Sequence, residues 1–430
     1  MPSVRIAIAG LGGVGTETVR LLRAGREGFR RRLGAELEII AVCDRHAAQK
    51  ARRLGLPARV LRLTDPRRLA ALPGIDIVVE LLGGLDAPRR LILTALRSGR
   101  HAVTANKHLI SHCWEELRTA QRAGDSRLLY EASVAGGIPI INALETSLAA
   151  DRIEAVYGIL NGTTNYILSR MREGMERPEA LRQAQALGLA ERDPVRDLSG
   201  QDTADKVSVL ASLVTGAWIR PYLVRSRGIQ DIERQDVVFA EEVLGRRVKL
   251  LGAARLSGND RQPELETFVS PTLIPLDHPL ASVQDEFNAI MVRAAAAGDL
   301  MFYGKGAGPG PAASAVLGDI LRLGRALVSG ASASPPRPAA AVPRLADSDS
   351  AFYLRLAAQD RPGVLCAITS ALGRLGISIS TIHQPAGDGR TAPVIITTHA
   401  ANPGTFGRAL RDILALGSIS RRHTVMRLLS

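Results

Sequence analysis

The stretch Gly10-Leu11-Gly12-Gly13-Val14-Gly15 decides the fold of this chain. It follows an apolar run at residues 4–9 and precedes a helical pattern at residues 13–22, so it joins a predicted buried strand to a predicted helix. In such a G-x-G-x-x-G turn, the first glycine permits the tight bend, the second lets the backbone approach a pyrophosphate, and the third allows close helix–strand packing. The pattern predicts a dinucleotide-binding turn, a purely structural turn being the alternative, with these residues as ligands: Gly10, Gly12, Gly13, Val14 and Gly15.

Short apolar strands continue to alternate with helices over the first 131 residues. The further strands are predicted at residues 38–43, 75–81, 101–104 and 128–131, and a helix is predicted at 87–98. This alternation is typical of an α/β domain with a parallel, doubly wound sheet. We therefore predict a Rossmann-type dinucleotide-binding domain at residues 1–131.

The pattern changes to α+β over residues 132–311. Strands are predicted at 153–160 and near 248–254, 265–269 and 287–293, and helices at 164–172, 178–187 and 201–214. An Ala/Leu-rich helix at 312–328 is expected to pack back on the first domain. The sequence thus predicts a second domain that differs in architecture from the first.

The C-terminal part of the chain is predicted to be a separate domain behind a linker. Residues 329–349 are rich in Ser, Ala and Pro, which favours a linker. Residues 350–430 then show the order βαββαβ, with strands at 352–358, 377–383, 392–399 and 420–429 and helices at 363–375 and 403–415. That order predicts a four-stranded antiparallel sheet with two helices on one face.

Composition limits the classes of protein that fit. A chain of 430 residues is too long for one ordinary core, so two or three domains are expected. The net charge is +13, but no basic run exceeds Arg30-Arg31-Arg32 and no aromatic residues alternate with basic ones, so no nucleic-acid partner is expected. Three dispersed cysteines, no signal peptide and no apolar span of ~20 residues predict a cytoplasmic protein that does not bind membranes.

The end of the second strand bears on the choice of cofactor. An acidic residue there hydrogen-bonds the ribose 2′-hydroxyl of NAD, whereas an arginine receives the 2′-phosphate of NADP. The chain has both, Asp44 and Arg45, which lie 29 and 30 residues after Gly15. A long helix or loop must intervene, because the usual spacing is about 20 residues. Other arginines nearby favour NADP, with NAD left open, and both residues are alternatively ordinary strand-end residues.

Lysine is rare in this chain. Only five of its 55 basic residues other than histidine are lysines, namely Lys50, Lys107, Lys206, Lys249 and Lys305. Since arginine keeps its proton while lysine can release it, the positions that keep a lysine are candidates for proton transfer. Lys107 directly follows a predicted strand of the cofactor domain, where ligands bind in this architecture. Lys50 and Lys249 occur in no motif and are expected on the surface.

A block of acids precedes Lys206. Residues 191–206 contain five carboxylates, and Asp202 lies four residues before Lys206 on a predicted helix, so the two share a face. Such a carboxylate keeps an ammonium group charged and oriented, and the other acids suit a substrate amino group. A solvated helix start with an ion pair worth only ~0.3–0.5 kcal/mol is the alternative.

Several motifs together resemble the homoserine dehydrogenase family over residues ~4–328. They are Val103-Thr104-Ala105-Asn106-Lys107, residues 130–140 (YEASVAGGIPI), residues 158–168 (GILNGTTNYIL), the block 191–206, and residues 302–308 (FYGKGAG). The resemblance implies NAD(P)H-dependent reduction of L-aspartate 4-semialdehyde to L-homoserine, in threonine, methionine and isoleucine biosynthesis. It also implies that residues 132–311 bind substrate and dimerise.

The resemblance further implies a role for individual residues. Lys206 would donate the proton, with Asp202 beside it, and Lys107 would contact both substrate and cofactor. Glu191, Asp197 and Thr163 would bind substrate, and Gly306 would bind the cofactor. A sodium site is implied by Glu131 and the backbone carbonyls of Val134, Gly136 and Ile138, a plain turn being the alternative.

Two residues depart from the family pattern. Lys305 stands where the family usually has proline, and Ala312 where it has threonine, so Lys305 either adds a phosphate contact or is tolerated variation.

Residues 352–429 resemble an ACT domain, with Asp360-Arg361-Pro362-Gly363 leading into its first helix. This implies an effector, threonine by resemblance, and a homodimer or homotetramer. The alternative is a domain that only dimerises or that no longer binds a ligand. Two other functions stay open: a Rossmann oxidoreductase for another amino-acid semialdehyde, and a non-catalytic NADP-binding sensor.

Overall fold

The chain folds into two compact units. The computed structural model describes residues 2–259, 262–330, 340–387 and 390–429. The first unit comprises Met1–Ile153, Asp205–Leu223 and Arg293–Val342, and the second Glu154–Ala204, Val224–Val292 and Pro343–Ser430. Within the predicted linker 329–349, residues 331–339 lie outside the described residues.

The first 147 residues contain these elements: β1 Ser3–Ala9, α1 Gly13–Ala24, α2 Arg26–Leu33, β2 Glu36–Cys43, α3 Ala47–Arg53, β3 Leu61–Leu63, α4 Pro66–Ala71, β4 Ile77–Glu80, α5 Asp86–Arg97, β5 His101–Thr104, α6 Lys107–Ala123, β6 Leu128–Leu129 and α7 Ile140–Asn142. Those that follow are β7 Ile153–Ile159, α8 Gly162–Arg172, α9 Arg177–Ala186, α10 Val195–Leu198, α11 Gln201–Thr215, β8 Arg225–Ser226, α12 Arg234–Glu242, β9 Arg246–Asn259, β10 Gln262–Pro275, β11 Phe287–Ala294, β12 Gly298–Lys305 and α13 Pro309–Ser329.

The first unit contains the predicted doubly wound sheet. Its six strands are parallel in the order β3-β2-β1-β4-β5-β6. Strands β4 and β5 are buried along their whole length, as expected when helices cover both faces. Helix α2 accounts for the long spacing between the glycine turn and the end of β2. Helix α13 buries Val316, Ile320 and Leu323 in the same core as Ile6 and Ile8.

The second unit contains a mixed sheet that continues into the C-terminal elements β13 Arg344–Leu345, β14 Ala351–Gln359, α14 Val364–Arg374, β15 Ile379–His383, β16 Thr391–Thr398, α15 Pro403–Leu414 and β17 Ile419–Leu428. The strand order is β11-β7-β9-β10-β17-β14-β16-β15, and β8 and β13 pair with β10. The βαββαβ prediction is confirmed, because β17, β14, β16 and β15 form one antiparallel sheet. Strand β17 also pairs in parallel with β10, which sequence reasoning did not predict.

Lys249 was wrongly predicted to lie on the surface. It is 2% exposed on β9, and its Nζ donates to Asn165 Oδ1 at 2.9 Å and to the Val283 carbonyl. Burial, with Arg247 and Arg172 nearby, lowers the pKa of Lys249 to about 7. Local sequence did not reveal this, because the acceptors come from residues 84 and 34 positions away.

Helix length and polarity also bear on membrane association. Among residues 2–259, 262–330, 340–387 and 390–429, no helix combines the length and apolar character that crossing a bilayer requires.

Candidate active site

The glycine turn has the geometry that the sequence pattern predicts for a dinucleotide site. Gly10 has φ +98°, and a Cβ there would lie 2.3 Å from the Leu81 carbonyl oxygen. A Cβ at Gly15 would lie 1.9 Å from the Gly10 carbonyl oxygen, so α1 begins against the turn itself. A Cβ at Gly12, in contrast, would meet no atom within 4 Å. The turn is therefore closely packed on its inner side and open at Gly12, where a phosphate can approach.

The carboxylate of Asp44 supports this turn. It accepts hydrogen bonds from the Leu11 amide at 3.0 Å, the His46 amide at 2.9 Å and Lys50 Nζ at 2.9 Å. Burial acts to raise the pKa of Asp44, but the hydrogen bonds from His46, Lys50 and Leu11 lower it below its ordinary value. Three donors already occupy this carboxylate, whereas the neighbouring Arg45 is exposed.

Buried polar groups at the carboxyl ends of β4 and β5 position Lys107. The Thr104 hydroxyl donates to Glu80 at 2.5 Å, and the Glu80 carboxylate also accepts from the Leu82 amide at 2.7 Å. Burial raises the pKa of Glu80. Asn106 caps α6 by accepting from the Leu109 amide, and its own amide donates to the Gly84 carbonyl at 2.8 Å. Lys107 therefore begins a helix whose first turn is held at the ligand-binding edge of the sheet.

The start of α6 meets the start of α11. His108 Nδ1 lies 3.5 Å from a carboxylate oxygen of Asp205, whose side chain is fully buried. Lys107 precedes this histidine and Lys206, which is 8% exposed, follows this aspartate. Since each lysine is one residue from the contact, the two helix starts that carry the candidate lysines lie together.

Three polar side chains of the second unit converge at the start of α8. The Asn161 amide donates to Asp197 at 2.8 Å and to Asp202 at 3.0 Å, and its oxygen accepts from the Thr164 amide at 2.8 Å. Asp202 is 7% exposed and lies four residues before Lys206 on α11, as predicted. Sequence reasoning missed Asn161, although an Asn just before a predicted helix is itself a capping signal.

The loop that carries Glu191 is tied to the same helix start. The Thr163 hydroxyl donates to the Leu189 carbonyl at 2.6 Å, and Gln185 Nε2 donates to the Glu191 carbonyl at 3.1 Å. The side chain of Glu191 is exposed. The second unit therefore presents Glu191, Thr163, Asp197 and Asp202 on segments that are hydrogen-bonded to one another.

The predicted cation site surrounds a buried carboxylate. Glu131 accepts from the amides of Ile141 at 2.8 Å and Asn142 at 2.7 Å, and burial raises its pKa. Ala135 and Gly136 have φ +53° and +51°, a consecutive left-handed pair that turns the backbone sharply between Val134 and Ile138. A carboxylate and backbone carbonyls are the oxygen donors that a hard cation takes.

The loop after β12 lies between this turn and the glycine turn. A Cβ at Gly136 would be 2.7 Å from the Gly306 carbonyl oxygen, and a Cβ at Gly13 would be 3.3 Å from Pro309. The Gly306 loop thus approaches both predicted binding turns of the first unit. Of the two departures from the family pattern, Lys305 is exposed at the end of β12 and Ala312 is buried in the core.

Comparison with known proteins assigns the family. The family model for the NAD-binding domain of homoserine dehydrogenase matches residues 10–131, the homoserine dehydrogenase model matches residues 139–321, and the ACT domain model matches residues 352–417. The homoserine dehydrogenase of Synechocystis sp. is 38% identical over 441 aligned residues, which cover 100% of both chains. The chain belongs to the homoserine dehydrogenase family.

Solved structures of this family are similar to the chain over three quarters of its length or more. A homoserine dehydrogenase from Thiobacillus denitrificans has a TM-score of 0.91 and 37% identity, covering 100% of this chain and 99% of that chain. A hyperthermophilic archaeal homoserine dehydrogenase in complex with NADPH has a TM-score of 0.63 and 25% identity, covering 75% of this chain and 97% of that chain. The protein is therefore an oxidoreductase of amino-acid biosynthesis that interconverts L-aspartate 4-semialdehyde and L-homoserine with a nicotinamide cofactor.

A substitution at Asn161 tests the hydrogen bonds that join Asp197 to Asp202. Serine at this position keeps the helix cap but loses the amide that joins Asp197 to Asp202. We expect Asn161→Ser to lower kcat/KM for aspartate semialdehyde at least about tenfold, because a hydrogen bond to a charged group contributes ~1.5–3 kcal/mol. Steady-state kinetics measure this. Asn402→Ser is the matched control, since Asn402 caps α15 through Gly404 and Thr405. Equal activity of the two variants would show that the bridge is not needed.

Proposed function

We propose that Lys206, Asp202 and Lys107 carry out the proton chemistry of this homoserine dehydrogenase. The bound cofactor supplies the hydride that reduces the C4 carbonyl carbon of aspartate semialdehyde. Lys206 donates a proton to the carbonyl oxygen, and Asp202, one helical turn earlier, orients its ammonium group. The observation that carries this proposal is the His108–Asp205 contact of 3.5 Å, which joins the helix starts that hold the two lysines.

The remaining polar residues bind the substrate. Glu191 and Asp197 hold its amino group, and Thr163 lines the same segment. The bridge from Asn161 to Asp197 and Asp202 supports a shared role for these two carboxylates. The test is homoserine-dependent reduction of NADP and of NAD, assayed beside a panel of other amino alcohols. Faster oxidation of another amino alcohol would overturn this assignment of substrate-binding roles.

We propose NADP as the preferred cofactor. The glycine turn residues, Arg45, Lys107 and Gly306 bind it, and Lys305 adds a cation at the mouth of the Gly306 loop. Two observations support NADP over NAD: Asp44 is already engaged by three donors, and Arg45 is exposed beside it. The archaeal relative that was solved with NADPH is consistent with this choice.

Arg45→Ala tests the cofactor preference. Removing a charge-assisted hydrogen bond to the 2′-phosphate costs ~1.5–3 kcal/mol, so kcat/KM for NADPH should fall about 10–100-fold while that for NADH changes little. Rates with both cofactors measure the ratio. Arg53→Ala, which removes an exposed arginine of α3, serves as the control. An unchanged NADPH/NADH ratio in Arg45→Ala would argue against a phosphate contact.

We further propose a sodium site at Glu131 and the carbonyls of Val134, Gly136 and Ile138. A second buried carboxylate supports it, because Asp319 accepts from the Glu131 amide at 2.9 Å and is 2% exposed. A second buried carboxyl group next to the Glu131 backbone favours a cation. Sodium chloride should therefore raise the unfolding midpoint at pH 8 relative to choline chloride at equal ionic strength. No difference between the two salts would contradict the site.

The raised pKa of Asp319 predicts how the stability of the protein changes with pH. Burial raises the pKa of Asp319 from its ordinary 3.8 to about 8, so the folded chain keeps a proton that the unfolded chain releases. The stability from this group is lost as pH rises from about 4 to about 8. Asp319→Asn keeps an acceptor for the Glu131 amide but does not ionise. We therefore expect its urea midpoint to exceed that of the wild type by more at pH 8 than at pH 5. A pH-independent difference would contradict the raised pKa.

We also propose that the ACT domain binds threonine and regulates turnover, in a homodimer or homotetramer. The pairing of β17 with β10 supports coupling, since it joins the regulatory sheet to a strand of the substrate-binding region. Arg427 of β17 adds an ion pair to the buried Glu266 of β10 at 2.8 Å. The test is turnover with and without threonine, with light scattering to measure the assembly. Identical rates and assembly in the two conditions would exclude threonine as the effector.

A further inference from the structure

Two histidines and a buried aspartate of the first unit form a cluster that takes no direct part in the proposed proton transfer or substrate binding. His108 and His112 are four residues apart on α6, with ring centroids 4.0 Å apart, and Asp205 faces them from α11. One ligand atom from each of the three side chains lies within 4.8 Å of the others. This spacing places both imidazoles on one face of the helix.

The donor set suits a borderline divalent cation. Two imidazoles and one carboxylate are ligands of Zn²⁺ and related transition metals, with water completing the coordination. Ligand atoms around a tetrahedral Zn²⁺ are about 3.4 Å apart, from bond lengths of ~2.0–2.1 Å, so the cluster needs side-chain shifts of about an ångström. His112 Nδ1 lies 3.1 Å from the His108 carbonyl oxygen and 2.9 Å from Ser111 Oγ. Such a contact orients a histidine so that its Nε2 faces a metal.

The cluster is open to metal from solvent. His112 is exposed and the side chain of His108 is 35% exposed, while that of Asp205 is fully buried behind them. The neighbouring ammonium groups of Lys107 and Lys206 oppose a second cation, but adjacent helical residues point about 100° apart. They therefore lower the affinity of the cluster for a metal ion.

We propose that His108, His112 and Asp205 bind a divalent transition-metal cation of the Zn²⁺ class. The bound metal joins the starts of α6 and α11. Because Lys107 and Lys206 are each one residue from a metal ligand, the bound metal inhibits turnover. This inhibition depends on the roles proposed above for the two lysines, whereas metal binding does not.

Metal binding is tested directly on the full chain after treatment with a chelator. Co²⁺ is added as a spectroscopic probe, and Zn²⁺ affinity is measured by competition with a chromogenic chelator. We expect one site per chain, weakened at least about tenfold in His112→Gln and in His108→Gln. His399→Gln removes an exposed histidine of the second unit and should bind like the wild type. Thermal melting checks that each variant is folded.

The possible outcomes distinguish metal binding from inhibition of turnover. Equal affinity and equal Co²⁺ spectra in His112→Gln, His108→Gln and His399→Gln would overturn the site. Zn²⁺ should inhibit the wild type reversibly and inhibit His112→Gln at least about tenfold more weakly, with normal activity of that variant before metal is added. Binding without inhibition would leave the site in place and overturn the proposed coupling between metal binding and turnover.

Discussion

Lys206→Arg should lower kcat by about 10²–10⁴-fold, the usual contribution of a general acid. Arginine keeps the positive charge next to Asp202 but does not release its proton at any accessible pH. Lys206 is 8% exposed, so bulk water is a poor substitute for its proton. The high-pH limb of the kcat profile for reduction reports loss of the proton from the essential acid, and we expect it to disappear in this variant. Stopped-flow and steady-state rates across pH measure both effects.

The control for this variant is the same substitution at another lysine. Lys50 forms an ion pair with Asp44 at 2.9 Å, which arginine retains, so Lys50→Arg should keep kcat near that of the wild type. NADPH binding, followed by fluorescence titration, should be unchanged in Lys206→Arg and so exclude misfolding. A kcat within about twofold of the wild type in Lys206→Arg would remove Lys206 from the proton-transfer step.

Asp236→Ala should destabilise the protein by about 3–5 kcal/mol, because it leaves a buried arginine without its carboxylate. Asp236 is fully buried, and Arg355 of β14 donates to it from Nε at 2.6 Å and from an Nη at 3.0 Å. The Tyr353 hydroxyl donates to the same carboxylate at 2.8 Å, and the Glu233 amide does so at 2.9 Å as the cap of α12. One carboxylate therefore joins the ACT strand β14 to α12.

Chemical denaturation of wild type, Asp236→Ala, Arg355→Met and the double variant measures this effect. The double variant should be more stable than the sum of the single losses implies, because it removes both buried charges. Asp299→Ala is the control, since the Arg293–Asp299 pair is about half exposed at 48% and 47% and should contribute only ~0–1 kcal/mol. A loss in Asp236→Ala no larger than in Asp299→Ala would contradict the buried network.

Local patterns were enough to predict the architecture. The glycine turn, the alternation of strands and helices before residue 131, and the βαββαβ order after residue 350 all depend on residues within a few positions of one another. The strand predictions at 248–254 and 265–269 were too short, because they covered only the apolar centres of β9 and β10. Asp202 and Lys206 could be placed together for the same reason, since four residues span one turn of α11.

Contacts between distant residues could not be predicted in this way. Asn161 lies 36 and 41 positions from the carboxylates that it joins, and Asp236 lies 119 positions from Arg355. Lys249 looked like a surface residue because its acceptors are far along the chain. The local sequence therefore accounts for the order of the elements, the glycine turn and the lysines available for proton transfer. Which carboxylates face one another, which charges are buried and where β17 joins the sheet depend on the three-dimensional packing, because each of these contacts pairs residues that no local pattern connects.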